Sequence, residues 1–343
     1  MRAAVLATGA NGSCIAADLV RAGHAVTLID QWPEHVEAMR ARGLRIEMPE
    51  ETVEVDVEAH HVCDVSSMHG TFDIVLLCSK AYDARWFSEL IKPKLAETGL
   101  LVGVQNGMTV DDITAVVGPS RSIGCVVELS SEIFTPGLVK RNTPPGRTWF
   151  GLGSLDPSTK GREAEVESLL RDVGRVSITP DVLSAKWMKL VTNTMCLGPS
   201  AMTGKTIHEA VNTPGARELM VRIGAEALAL GQRLGHRIEP IFGLSREEVT
   251  GTNQLLEKLL DKVARDIGTA ARDCVLQDHL KGRYSEVDSI NGHVVAEAKR
   301  LGHQAPANAA IVEITRRIRE DGLGLDPANL ELANRLAADR PSG

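Results

Sequence analysis

The sequence predicts an α/β fold in its N-terminal half, a doubly wound sheet, followed by an all-α C-terminal domain. Three observations predict it. Up to about residue 180, short β-branched runs alternate with amphipathic stretches of helix length, the pattern of parallel strands covered by helices. Beyond Ile178 these runs give way to long helical periodicity rich in Ala, Leu, Glu and Arg. Between the first strand and the first helix stands a glycine turn, Ala7-Thr8-Gly9-Ala10-Asn11-Gly12.

Residues 3–7 read as a buried strand rather than the core of a signal peptide, because the apolar stretch is brief and runs into a glycine turn without a cleavage-like site. A helix over 12–22 and a second strand over 25–30 follow. Residues 72–78 do not alternate in polarity, so that strand is expected to be buried on both faces. Strands at 100–104, 123–127 and 138–139 continue the series. The domain boundary falls at about 180, giving a dinucleotide-binding domain (1–180), a helical substrate and catalytic domain (181–336) and a tail (337–343) without apolar anchors, expected to be mobile. Helices are expected at 182–202, 216–234, 253–264, 285–301 and 307–319. Pro214 suits the first turn of one of them, and Gly235 and Gly302 suit the ends of two. No internal repeat is visible.

The composition bounds the function. A chain of 343 residues that is 43% hydrophobic and 24% charged can bury a large core. Its net charge of -7 and scattered Lys and Arg exclude a phosphate-neutralising stripe, so no nucleic acid is expected as partner. The longest apolar runs fall far short of the roughly 20 residues that cross a bilayer, so no membrane is expected either. The six cysteines (Cys14, Cys63, Cys78, Cys125, Cys196, Cys274) lie far apart with no C-x-x-C pair. Reduced thiols in a cytoplasmic protein are the simplest account.

The glycine turn stands where a G-x-G-x-x-G motif would, with Ala7 in place of the first glycine. Gly9 lets backbone approach a pyrophosphate and Gly12 lets the helix pack on the strand, while Ala10 and Asn11 lie in the turn before the helix N-terminus, whose N–H groups and partial positive charge favour an anion. Asp30 closes the next strand eighteen residues after Gly12, where a carboxylate accepts hydrogen bonds from a ribose 2′-hydroxyl. Together these read as a Rossmann domain; the bland alternative is an ordinary βαβ turn capped by Asp30. A carboxylate there repels a 2′-phosphate, and Gln31 and Trp32 follow it rather than Arg. The reading leans to NAD over NADP, with Arg40 and Arg42 as the side chains able to fold back toward the ribose.

Five blocks now carry a resemblance. They are the glycine turn, Cys78-Ser79-Lys80-Ala81-Tyr82-Asp83, Val104-Gln105-Asn106-Gly107-Met108, Trp187-Met188-Lys189-Leu190-Val191-Thr192-Asn193, and the run from Gly282-Arg283-Tyr284-Ser285-Glu286 to Gly292. In this order and spacing the chain resembles the ketopantoate reductase family over nearly its whole length. The resemblance implies a Rossmann domain, a helical domain like that of 6-phosphogluconate dehydrogenase, and an active site in the cleft between them. It implies reduction of 2-dehydropantoate to pantoate with NADPH, on the route to pantothenate, or NAD-dependent 2-hydroxy acid dehydrogenation as in some relatives. It also implies that Lys189 is the catalytic lysine, that Asn193 orients it or the substrate, that Glu286 binds substrate, and that Lys80 and Asn106 lie beside the cofactor.

Elementary chemistry supports the lysine independently. Reducing a ketone requires a hydride and a proton donor at the oxygen where negative charge develops, and an ammonium is both a donor and a positive charge. Lys189 and Asn193 stand four residues apart, one above the other on a helical face. Trp187 and Leu190 would pack on other faces, and neighbouring Lys186 is expected to be a solvated charge.

Two positions depart from pantoate-forming relatives. Leu197 stands where the family has a second asparagine, and Cys274 where it has a substrate-contacting serine. Leucine offers no hydrogen bond and a thiol only a weak one, so the pocket is expected to be more apolar than one built for ketopantoate. No partner motif accompanies Cys274 as a nucleophile. His60, His61 and Cys63 lack a fourth ligand at suitable spacing, so no metal site is expected. His208, His236, His279, His293 and His303 are isolated and expected to be structural or exposed, and the charges over 316–321 read as a solvated helix end.

The leading expectation is an NAD(P)-dependent reductase of a small 2-oxo acid, or the corresponding 2-hydroxy acid dehydrogenase. An isomerase using a bound dinucleotide for transient oxidation, and a non-catalytic dinucleotide sensor, stand behind it. The helices of the second domain offer a face for a homodimer.

Overall fold

The computed structural model describes residues 1–250, 252 and 254–338. The chain divides into two compact units, Met1–Val182 and a second from Leu183 onward.

The first unit contains strands β1 (Ala3–Leu6), β2 (Val26–Asp30), β3 (Leu44–Glu47), β4 (Thr52–Val55), β5 (Glu58–His61), β6 (Phe72–Leu77), β7 (Leu95–Gly103), β8 (Ser122–Glu128), β9 (Ser131–Thr135), β10 (Leu138–Arg141), β11 (Trp149–Ser154) and β12 (Arg175–Ile178). Its helices are α1 (Ala10–Arg21), α2 (Pro33–Arg42), α3 (Ala84–Ile91), α4 (Val110–Val117) and α5 (Glu163–Leu170). Eight strands form one sheet in the order β12-β11-β8-β7-β6-β1-β2-β5. The central strands are buried on both faces, and residues of β1 alternate between two cores: Ala3 and Val5 pack with Cys14, Leu19 and Ile133, Ala4 and Leu6 with Ile29, Phe87 and Ile113.

Two features correct the sequence reading. The main sheet is not wholly parallel, because β11 runs antiparallel to β8. The strand expected at 138–139 does not continue it either: β10 belongs to a separate four-stranded sheet, β4-β3-β10-β9. Strands β3 and β4 alternate buried and exposed residues, as strands covered on one face must. That sheet packs over α1, which explains why every α1 residue from Gly12 to Leu19 is buried. Across this contact Arg141, wholly buried, pairs with Asp18 at 2.5 Å and satisfies its remaining donors on Thr143 O, Thr148 Oγ1 and Val173 O. Burial pushes the Asp18 carboxyl up, and the Arg141 guanidinium opposes it.

The second unit is helical: α6 (Val182–Ala201), α7 (Ile207–Val211), α8 (Ala216–Arg233), α9 (Arg246–Thr250), α10 (Leu255–Asp266), α11 (Cys274–Leu280), α12 (Val287–Arg300), α13 (Pro306–Glu320) and α14 (Asn329–Ala338). The expected start of a helix at 253 lies outside the described residues. Gly235 and Gly302, at φ +89° and +74°, follow the last turns of α8 and α12 as left-handed C-terminal glycines do. Pro214 lies outside α8, before its left-handed N-cap Gly215, so it does not occupy the first turn. The α13 N-terminus has no cap of its own; Glu226 of α8 accepts the Ala307 and Asn308 N–H groups at 2.9 and 3.0 Å. Ala337, the first residue of the expected tail, is buried within α14 and its carbonyl accepts from Arg222 at 3.2 Å; residues 339–343 of that expectation lie outside the described residues. Among the described residues no helix is long and apolar enough to cross a membrane, and no disulfide joins the six cysteines.

Candidate active site

The parallel strands β1, β2, β6 and β7 end on one edge of the main sheet. That edge therefore collects the turn over 7–12, Asp30, the segment 78–80 and the segment 104–106. The chain leaves β1 toward β2 and β5 and returns through β6 to β7 on the other side, so the edge includes the switch point at which α/β sheets bind ligands.

At the turn, Ala7 has φ +61°, a left-handed conformation that costs an L-residue roughly 1–2 kcal/mol and explains why glycine is usual there. A Cβ built on Gly9 meets nothing within 4 Å, so its backbone faces open space, whereas one on Gly12 would lie 3.0 Å from Ala7 O and 3.1 Å from Cys78 Cβ. No side chain among the described residues caps α1 at Gly9, and its first turn holds no acidic residue. Open backbone at Gly9, an uncapped helix N-terminus and close packing at Gly12 fit the pyrophosphate of a dinucleotide. Asn11 turns to the second sheet, where its Oδ1 accepts from Ser131 Oγ at 2.6 Å.

Asp30 is 2% exposed; Oδ1 accepts the Trp32 N–H at 2.7 Å and Oδ2 lies 3.4 Å from Thr8 Oγ1. Arg40 and Arg42 do not fold back toward it. Arg40 binds Ala59 O, Glu37 and Asp64, and Arg42 donates to Pro136 O. Lys80 is half-buried and precedes a helical turn at Ala81–Asp83. Half-buried Asn106 precedes Gly107, whose φ of +75° makes the turn. Between them a buried relay runs from Thr109 Oγ1 to Gln105 Oε1 (3.2 Å) and from Gln105 Nε2 to Ser79 Oγ (3.3 Å).

In the second unit, α6 carries Lys189, half-buried with Nζ 4.8 Å from the Phe242 ring centroid, then Asn193 at 3% exposure and Leu197 at 9%. Their spacing of four residues aligns them along one face. Burial pushes the Cys196 thiol up to about 12, while the Lys189 charge lowers it and the Asp273 charge raises it. Asp273 caps α11, its Oδ1 accepting the Val275 and Leu276 N–H groups at 2.9 and 3.0 Å; half-buried Cys274 follows as the first helical residue. Glu286, 4% exposed, precedes α12 as its N-cap residue. Asn291 Nδ2 ties α12 to Thr194 O at 3.2 Å, and a Cβ on Gly198 would sit 3.7 Å from Val287 Cγ2. The head of α12 thus lies against the helix that bears Lys189. Trp187 and Leu190 pack inside, with Trp187 Nε1 donating to Ala227 O at 3.0 Å. Lys186 is not the solvated charge expected, since only 3% of it is exposed.

The remaining candidates stay peripheral. His60 pairs with Glu58 and His61 with Glu37, Cys63 is exposed, and among the described residues no group of three His, Cys, Asp or Glu can hold a metal ion. His236 and His293 pack on Trp187, and His303 meets Arg233.

Residues 3–154 match the family described as Ketopantoate reductase PanE/ApbA, and residues 181–319 match its C-terminal part. The chain belongs to the ketopantoate reductase family. A 2-dehydropantoate 2-reductase of Mesorhizobium japonicum is 28% identical over 93% of this chain and 98% of its own. A PanE/ApbA family ketopantoate reductase from Ralstonia eutropha JMP134 superposes with TM-score 0.77 at 27% identity, covering 94% of this chain and 100% of that one. D-mandelate dehydrogenase with NADH and anilino(oxo)acetate shares the fold at TM-score 0.81 and 19% identity, over 94% of this chain and 99% of that one.

The protein is a nicotinamide-dependent oxidoreductase of this family. Three groups that the structure places around the candidate site residues are absent from the sequence expectations. His35 of α2, wholly buried, binds the glycine turn. Phe242 underlies Lys189. The Thr109–Gln105–Ser79 relay links the segments that bear Lys80 and Asn106. A Thr109 four residues after Gln105 was a usable signal for the last; the first two left none in local sequence.

Proposed function

We propose that the protein reduces a small 2-oxo acid to the 2-hydroxy acid, with Lys189 as proton donor and NADH as the preferred reductant. The observation that carries this reading is the half-buried Lys189 ammonium with Asn193 one turn further along α6. When bound, the nicotinamide supplies a hydride to the carbonyl carbon. As the carbonyl π pair moves onto oxygen, Lys189 Nζ delivers its proton there and is left as an amine, which recovers a proton from solvent. In reverse the amine accepts the hydroxyl proton. Asn193 orients the ammonium or the substrate with its amide, and the buried Glu286 carboxylate accepts a hydrogen bond from the hydroxyl of the 2-hydroxy acid. Lys80 and Asn106 hold the cofactor side.

Asp30 favours NADH because a fixed carboxylate repels a 2′-phosphate, and Arg40 and Arg42 are engaged elsewhere. Leu197 and Cys274 favour a 2-oxo acid with an apolar side chain. A ketopantoate hydroxyl left unpaired beside them would cost about 1–3 kcal/mol. The assembly we propose is a cytoplasmic homodimer through the second unit, burying the exposed Leu280 and Leu301; light scattering reads its mass.

The deciding experiment follows nicotinamide absorbance with NADH and NADPH against 2-dehydropantoate and a panel of apolar 2-oxo acids. NADH oxidation with an apolar member, faster than with 2-dehydropantoate, is expected. Lys189→Ala should lower turnover at least about 100-fold with nucleotide affinity nearly unchanged, and turnover close to the parent's would remove Lys189 from the mechanism.

A further inference from the structure

Phe242 stands out on backbone and side chain together. It is one of only two non-glycine residues with positive φ among those described, at +59°, and Gly243 follows at +72°. The Leu244 N–H closes the turn on Ile241 O at 3.0 Å. Two left-handed central residues make the pattern of a type I′ turn, where Asn and Gly are favoured and a bulky aromatic is strained. The strain is held in place from both sides. Glu239, 3% exposed, takes both its oxygens to Arg246 Nη2 at 3.0 and 2.9 Å, clamping the ends of the loop, while Ile241 and Phe242 are buried at 0% and 1%. Backbone strain that the surroundings enforce this fully points to a use for the side chain it presents.

That side chain presents its ring to the Lys189 ammonium, 4.8 Å from the centroid. We propose that Phe242 is the positioning residue for Lys189, its strained turn fixing a π face beneath the ammonium. A ring suits this task better than a carboxylate. It attracts the cation through its quadrupole and, unlike a carboxylate, takes up none of its N–H donors as a conventional hydrogen-bond acceptor. It also narrows the freedom of a flexible four-carbon stem. On the same helix the Lys189 charge lowers the buried, neutral Cys196 thiol, against the Asp273 charge at the head of α11, which raises it.

The inference rests on the reading of Lys189 as proton donor for its catalytic meaning, and the test separates the two. Phe242→Leu and Phe242→Met keep an apolar side chain but remove the π face; Phe242→Tyr keeps it. The Lys189 ammonium is titrated by NMR in full-length protein carrying isotope-labelled lysine, assigned through Lys189→Arg, with folding checked by circular dichroism. Losing the ring should lower the Lys189 pKa by about 0.5–1 unit, and Phe242→Tyr should restore it. Packing loosened without a π effect would admit water, favour the charged form and move the pKa upward. An unchanged or raised pKa in the Leu and Met variants overturns the proposal; should one variant fail to fold, the other decides. In kcat–pH profiles with NADH and the best 2-oxo acid, the alkaline limb should move down by the same amount. A shifted NMR titration with an unmoved kcat profile would keep Phe242 as the positioning residue and remove Lys189 as the acid.

Discussion

The imidazole of His35 donates its Nε2 proton to the Thr8 carbonyl oxygen across 3.0 Å. Its Nδ1 accepts the Gly137 N–H at 2.9 Å, so the neutral tautomer is fixed. Ser13 Oγ donates to the same carbonyl at 2.7 Å. One buried ring thereby joins the glycine turn, α2 and the loop between β9 and β10.

Acid should unfasten this junction. Burial lowers His35 to about 4 from an ordinary value near 6.5. The folded state then binds fewer protons than the unfolded chain between those values, so the stability is fully present above about pH 6.5 and is lost as pH falls toward 4. The loss approaches about 3 kcal/mol for a wholly buried ring. Burial also lowers His279 to about 4, with the same sign. Urea unfolding at pH 7.5 and 5 should show the decline, and His35→Gln should flatten it; an equal decline in that variant would exclude His35 as the titrating group.

Ala7→Gly should stabilise the reductase. Glycine removes the left-handed penalty at φ +61°, and the gain exceeds the extra freedom of the unfolded chain by up to about 1 kcal/mol. The denaturation midpoint reads the sign, and a lower midpoint would show that the turn is not strained in solution.

Asp30→Ala should weaken NADH more than NADPH, because it removes a ribose acceptor and, with it, the charge that repels a 2′-phosphate. Fluorescence titration of both nucleotides measures the ratio. If NADH binding held while NADPH binding fell, the placement of the ribose at the end of β2 would be wrong.

Gly231→Ala should disrupt α6. An added Cβ would lie 1.9 Å from Trp187 Nε1, so the indole must leave its site and its bond to Ala227 O. A loss of about 3 kcal/mol or more is expected from displacing so large a buried ring. Intrinsic fluorescence and thermal melting would register it, and a parent-like melt would mean that α6 and α8 are farther apart than the structure has them.

The parts of the site legible in sequence were those written within a few residues of one another. The turn from Ala7 to Gly12 and the Lys189–Asn193 spacing are local patterns, and the helical and strand periods around them are strong. The His35 junction was not legible because its partners Thr8 and Gly137 lie 27 and 102 residues away. The second sheet was hidden for the same reason: β3 pairs in parallel with β10, far along the chain, and its short strands mimic loop sequence. Lys186 illustrates the opposite failure. Its type predicts exposure, and only the packing around α6 reverses that.

The cover over α1 sets an order of events for the growing chain. By the end of β7 the polypeptide already contains the strands that flank the glycine turn and the β3 and β4 half of the layer over α1, but the other half waits for β9 and β10. Until Arg141 emerges, Asp18 has no buried counter-charge and the part of α1 that β9 and β10 cover meets water. The layer over the glycine-turn helix is therefore completed late in synthesis, and a fragment ending at residue 120 should carry the glycine turn without binding a dinucleotide.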